Sequence, residues 1–162
     1  MLRKKDTHHH YFEIQLNWQG GTKGIVMAND VKDILRVSAA KDFPGGVEGM
    51  WSPEHLFLSA VVTCHMTTFF ALAGARGLGV THFECSAIGH VELREQGLVY
   101  TTIDLYPKVF VENDTDIAMA GEALAEANRR CIIINSISAK VIHHDQVLTD
   151  DHPVAREKNQ VQ

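Results

Sequence analysis

Cysteine is scarce in this chain and positive charge is outnumbered. Three cysteines in 162 residues are too few for a disulfide framework, so the fold must rest on an apolar core. Fifteen Lys and Arg against twenty Asp and Glu leave a formal charge of −5, which argues against a nucleic-acid partner. The one basic cluster, Arg3-Lys4-Lys5, is short and terminal. No apolar stretch follows it, so a secretory signal is not expected. No internal repeat or low-complexity linker appears. Residues 56–75 are the nearest thing to a membrane span, but Ser59, Thr63, Cys64, His65, Thr67 and Thr68 interrupt them. A buried helix of a soluble protein fits that composition better. Gly45-Gly46-Val47-Glu48-Gly49 lacks the lysine and hydroxyl of a phosphate loop, and no serine nucleophile elbow is present.

What remains has 45% hydrophobic and 22% charged residues, the balance of a soluble globular protein. The expectation is one domain over residues 1–150, a polar tail over 151–162, and a reducing, cytoplasmic setting. Residues 11–18 alternate Phe12, Ile14, Leu16 and Trp18 against polar neighbours, which predicts a half-buried strand. Residues 20–24 make a turn, 25–27 a return strand and 33–37 a short third strand. A breaker-rich loop covers 43–49. Ser52 followed by Pro53 marks a helix start. That helix is apolar all round, which places it centrally, and Gly74 and Gly77 end it.

Strict alternation from Phe83 to Leu93 gives the next strand, with a turn at 95–97 and a further strand over 98–111. A second amphipathic helix follows Asn113-Asp114-Thr115-Asp116, with the stripe Ile117, Ala120, Leu124, Ala127, Cys131. A last strand covers 139–142. The fold class is therefore α+β, built on antiparallel sheets with two main helices packed together.

Cys131 is in register with the apolar stripe of its helix and points inward, towards the long helix that holds Cys64. A buried thiol is most often a small hydrophobe; two on facing helices favour redox chemistry. Cys85 sits at a core position of an alternating strand with no polar companion, which is plain packing. The ten histidines invite a metal reading through His8-His9-His10 and His143-His144. Adjacent strand residues point to opposite faces, so neither cluster forms a ligand pair by itself. His82 and His90 fall on the solvated face of their strand.

The segment Ser52-Pro53-Glu54-His55-Leu56-Phe57-Leu58-Ser59-Ala60, with Cys64 ten residues after Glu54, resembles the helix motif of the OsmC/Ohr family. Trp18 with Gly20-Gly21, the loop Phe43-Pro44-Gly45-Gly46 and the place of Cys131 before the last strand are similar to that family too. The resemblance spans about residues 8–147. It implies an OsmC-like fold in an intertwined homodimer and a thiol peroxidase that reduces organic hydroperoxides without a cofactor. Cys64 would be the peroxidatic thiolate, Cys131 the resolving thiol, Glu54 part of the polar network, and an external dithiol the reductant. Ten residues of helix cover about 15 Å, so Glu54 cannot reach Cys64 of its own helix. If both serve one site, the glutamate comes from a two-fold-related copy. An apolar pocket lined from Phe57, Val61, Met66 and Phe69 favours a lipophilic peroxide.

Two positions depart from the family pattern. Thr22 stands where the family has a turn arginine, leaving Lys23 and Arg36 as the nearby cations, and Ile132 stands where Cys-Pro is common. Without a cation a buried Cys64 would be a poor nucleophile. The alternative reading is a non-peroxidase OsmC-like protein that binds an apolar or thiol-bearing small molecule at the dimer interface. A purely structural dimer is the third.

Overall fold

The computed structural model describes residues 9–149, so the tail over 151–162 lies outside the described residues. The chain divides into two compact units, one ending at Phe57 and the other starting at Leu58.

The first unit holds a three-stranded antiparallel sheet of β1 (Gln15–Gly20), β2 (Lys23–Met27) and β3 (Leu35–Val37) in that order. The first strand begins later than its alternation predicts. Phe12 and Ile14 lie ahead of it, and Leu16 and Trp18 are exposed in this chain rather than half-buried. The turn is tighter than expected, with Gly20 and Gly21 at positive φ, so β2 already starts at Lys23. The breaker-rich loop makes one close approach. A Cβ on Gly46 would lie 1.9 Å from the carbonyl oxygen of Ala40, so only glycine fits there.

Helix α1 runs Pro53–Ala75. Its start is a capping box with an unusual partner. The amide of His55 donates to Ser52 Oγ at 3.3 Å, and the amide of Ser52 donates back to His55 Nδ1 at 3.3 Å, so the imidazole does what a glutamate or glutamine does elsewhere. Its end is a Schellman motif: Leu78 N–H bonds Ala73 O, Gly77 N–H bonds Gly74 O, and Gly77 takes φ +66°.

The second unit carries a mixed four-stranded sheet. β4 (Val80–Arg94) and β5 (Gly97–Val111) form a long antiparallel hairpin. β6 (Lys140–His143) and β7 (Gln146–Thr149) both add parallel to β5. The α+β arrangement on antiparallel hairpins is as expected, with a parallel edge added beside β5. α2 (Ile117–Arg130) returns the chain over the sheet, and a single helical turn, α3 (Ile132–Asn135), follows it.

The core lies between this sheet and the helices. Phe69 and Ala73 of α1 pack with Val109 and Val111 of β5 and with Ala120, Ala123, Leu124 and Ala127 of α2. Phe69 is fully buried and stacks on Phe83 at 5.5 Å. Its truncation to alanine should cost roughly 3–5 kcal/mol. Within one chain α1 buries only the stripe Val61, His65, Phe69, Ala73. Met66 and Phe70 stay exposed. By length and composition α1 could cross a bilayer, but this stripe is seated on a sheet, as in a core helix.

Candidate functional site

Cys64 and Cys131 come together. Cys64 lies mid-helix on α1 and is partly accessible, whereas Cys131 is buried at the junction of α2 and α3. The chain breaks helical geometry there, Cys131 taking φ −62° and ψ 117°, so it closes one helix and opens the next. Its amide still bonds Ala127 O at 3.0 Å. The extended backbone at Cys131 turns the first N–H groups of α3 free of α2, and free N–H groups are what a helix start offers an anion.

Those groups serve the Cys64 sulfur. Burial by itself raises the Cys64 pKa. The Ile133 amide, the Cys131 thiol and the Ile132 amide, placed to donate to the sulfur, together overcome it, so Cys64 ends below its ordinary value; the Thr68 hydroxyl beside it donates to the Cys64 carbonyl at 2.8 Å. Cys131 moves the other way. Burial and the adjoining Cys64 sulfur push it to about 11. One thiol is thus disposed to ionise while its neighbour keeps its proton and donates it. The thiolate is the nucleophile in sulfur chemistry, so the arrangement separates an attacking sulfur from a waiting one.

None of these donors is a cation. Lys23 is on β2 and Arg36 on β3, both exposed. Thr22 is engaged within its own unit, donating to Gly45 O at 2.5 Å and lying 3.2 Å from Ser38 Oγ. Glu54 sits in the first turn of α1, half-buried, ten residues before Cys64.

The expected pocket lining needs correction. Val61 and Phe69 have no exposed surface and belong to the core, because their helical spacing puts them on the sheet-facing stripe. Met66 remains on an exposed face. Cys85 is half-buried on β4, and burial raises it to about 11, with the Asp145 charge adding to the shift. His82 pairs with Glu84 at 3.2 Å. His90 and His144 bracket the Asp104 carboxylate at 2.9 and 2.7 Å, which holds Asp104 below the usual carboxylate range. Among the described residues no three His, Cys, Asp or Glu side chains are grouped to hold a metal ion; His8 lies outside them.

Sequence reasoning missed the donors themselves. Thr68 was legible as one turn beyond Cys64. The Ile132 and Ile133 amides carry no side-chain signal at all. They were visible only indirectly, as the absence of proline after Cys131.

A family model described as "OsmC-like protein" matches residues 46–144. The chain belongs to the OsmC family. No curated protein matches it. Among solved structures it is similar to an OsmC-like protein of unknown function from Vibrio cholerae. That likeness has TM-score 0.76 at 19% identity, over 85% of this chain and 99% of the other. An organic hydroperoxide resistance protein from Elizabethkingia anophelis superposes with TM-score 0.69 at 15% identity, over 89% and 99%. The organic hydroperoxide resistance protein OhrB of Bacillus subtilis gives TM-score 0.58 at 15% identity, over 85% and 98%. At these identities the likeness establishes the OsmC α+β fold.

Proposed function

We propose that this OsmC-family protein is a thiol-dependent peroxidase for organic hydroperoxides. The observation that carries the reading is the thiol pair itself: a partly accessible Cys64 on α1 beside a buried Cys131 at the α2–α3 junction, the first disposed to ionise and the second held protonated. The Cys64 thiolate attacks the terminal peroxide oxygen. The O–O bond breaks, an alcohol leaves after taking up one proton, and Cys64 becomes a sulfenic acid. The Cys131 sulfur then displaces hydroxide from that sulfenic acid, releasing water and closing a Cys64–Cys131 disulfide. An external dithiol restores both thiols by exchange and leaves as its own disulfide.

The same proposal includes a homodimer. α1 leaves Thr63, Met66, Thr67, Phe70 and Ala71 uncovered in one chain, an apolar face that a second copy would bury. That copy would also supply the Glu54 that its own helix holds about 15 Å from Cys64. Reduced thiols fit a cytoplasmic setting.

Mass spectrometry after one equivalent of cumene hydroperoxide tests the reading. The expected result is a rapid loss of two hydrogens mapping to Cys64 and Cys131, with Cys131→Ser trapping oxidised Cys64. Oxidation no faster than that of a free thiol contradicts it. That outcome would favour a small-molecule binder of the same fold, the reading that Thr22 in the arginine position supports.

A further inference from the structure

The stripe by which α1 seats on the sheet is Val61, His65, Phe69 and Ala73: three apolar side chains and one imidazole. His65 has no exposed surface, and the thiol chemistry above makes no use of it. A polar group buried at that depth is costly unless it is bonded. His65 Nε2 lies 2.7 Å from Asn128 Oδ1, and Asn128 Nδ2 donates to Asp145 Oδ2 at 3.0 Å. The second bond fixes the first. With the Asn128 amide nitrogen turned to a carboxylate, its oxygen accepts, so His65 carries its proton on Nε2. His65 Nδ1 is left as a buried lone pair without a partner.

Burial is what keeps this imidazole neutral, not the groups that face it. They are Asn128 from α2, Asp145 from the connector after β6, and the His143 ring of β6, 6.0 Å away. Burial lowers the pKa of His65, against the opposing pull of Asn128 and Asp145. It also lowers that of His143, where Asp145 opposes and His65 and His144 assist. A neutral imidazole with one donating N–H is a fixed mechanical link, and its location is specific. His65 directly follows Cys64 on α1, and Asn128 lies three residues before Cys131 on α2. Successive helical residues diverge by about 100°, so the ring faces Asn128 while the Cys64 sulfur faces the α2–α3 junction.

We propose that His65, Asn128 and Asp145 form a positioning network for the thiol pair. It pins the end of α2 against α1 so that the Ile133 and Ile132 amides and the Cys131 thiol stay on the Cys64 sulfur. None of the three touches the reacting atoms. The network's role in turnover rests on the peroxidase reading; its effect on Cys64 does not.

The test therefore uses no peroxide. Cys64 alkylation by iodoacetamide at pH 7 and the Cys64–Cys131 dithiol–disulfide equilibrium against dithiothreitol are measured for the full chain and three variants. His65→Leu should slow alkylation about tenfold and weaken the disulfide by a similar factor, the scale of one lost hydrogen bond to a stressed site. His65→Gln, whose amide can donate to Asn128 Oδ1 without titrating, should restore both to within about twofold. Asp145→Ala, at an exposed position, should slow alkylation about threefold and keeps the proposal testable if His65→Leu does not fold. Unchanged alkylation and equilibrium in folded His65→Leu, or in Asp145→Ala, overturns the proposal. So does a His65→Gln variant as slow as His65→Leu, which would make the ring's volume the cause. A protein that shows these shifts yet reduces no hydroperoxide would sink the peroxidase reading and leave the network standing.

Discussion

Cys64, facing the α2–α3 junction, and Cys85, in β4, are both partly buried thiols, and their surroundings treat them oppositely. At β4, Cys85 stands in a regular ladder whose amides are committed to β5, and burial drives its thiol to about 11. At the junction the ladder of α2 has ended and that of α3 has just begun. Amide protons are uncommitted there, and the sulfur they reach, Cys64, is lowered despite burial. Burial alone raises a thiol, at Cys85 and at Cys131 itself; the donors of the junction lower the one sulfur that faces them, Cys64.

Replacing each thiol gives the sharpest contrast. Cys64→Ser should reduce hydroperoxide turnover by roughly 10³-fold or more, the scale for loss of a residue that forms a covalent intermediate. Steady-state peroxide consumption reads it directly. Removing one donor should act less strongly. Ile133→Pro deletes an amide proton within the first turn of α3, where proline is tolerated, and should slow Cys64 alkylation at pH 7 by about tenfold. An unchanged rate would dissolve the distinction between junction and strand.

Acid should expose the opposite side of α1. His65 and His143 have folded pKa values below the ordinary 6.5, so the unfolded chain binds more protons as pH falls below 6.5. Stability then rises with pH through that window and is lost as pH drops towards the depressed values. The urea midpoint should fall between pH 7.5 and 5, by on the order of 1 kcal/mol in unfolding free energy, and His65→Gln should flatten the dependence. The smallest effect belongs to β4: Cys85→Ala should leave hydroperoxide turnover within about twofold, since that thiol only fills space.

Much of this architecture was legible in the residues. Ser52-Pro53 fixed the start of α1 and Gly77 its end, because caps are local chemistry. The stripe through Ala120, Leu124 and Ala127 aimed Cys131 inward because helical period is local too. β7 and α3 were not legible: four-residue elements show no period, and their parallel or terminal placement depends on contacts distant in sequence. The pocket residues Val61 and Phe69 were misassigned because α1 is apolar all round, so composition could not reveal which face the sheet takes. His65 showed in the sequence only as a polar interruption of the apolar run over 56–75, because its partner Asn128 is 63 residues away.

The most direct test of the account is the rate of alkylation of each thiol against pH in the reduced wild-type protein, resolved by peptide mass spectrometry. The account predicts a Cys64 midpoint below its ordinary 9.0, with Cys131 and Cys85 both near 11. A Cys64 midpoint at or above that of Cys85 would contradict it, since the free amides of the α2–α3 junction would then do nothing for the sulfur they face.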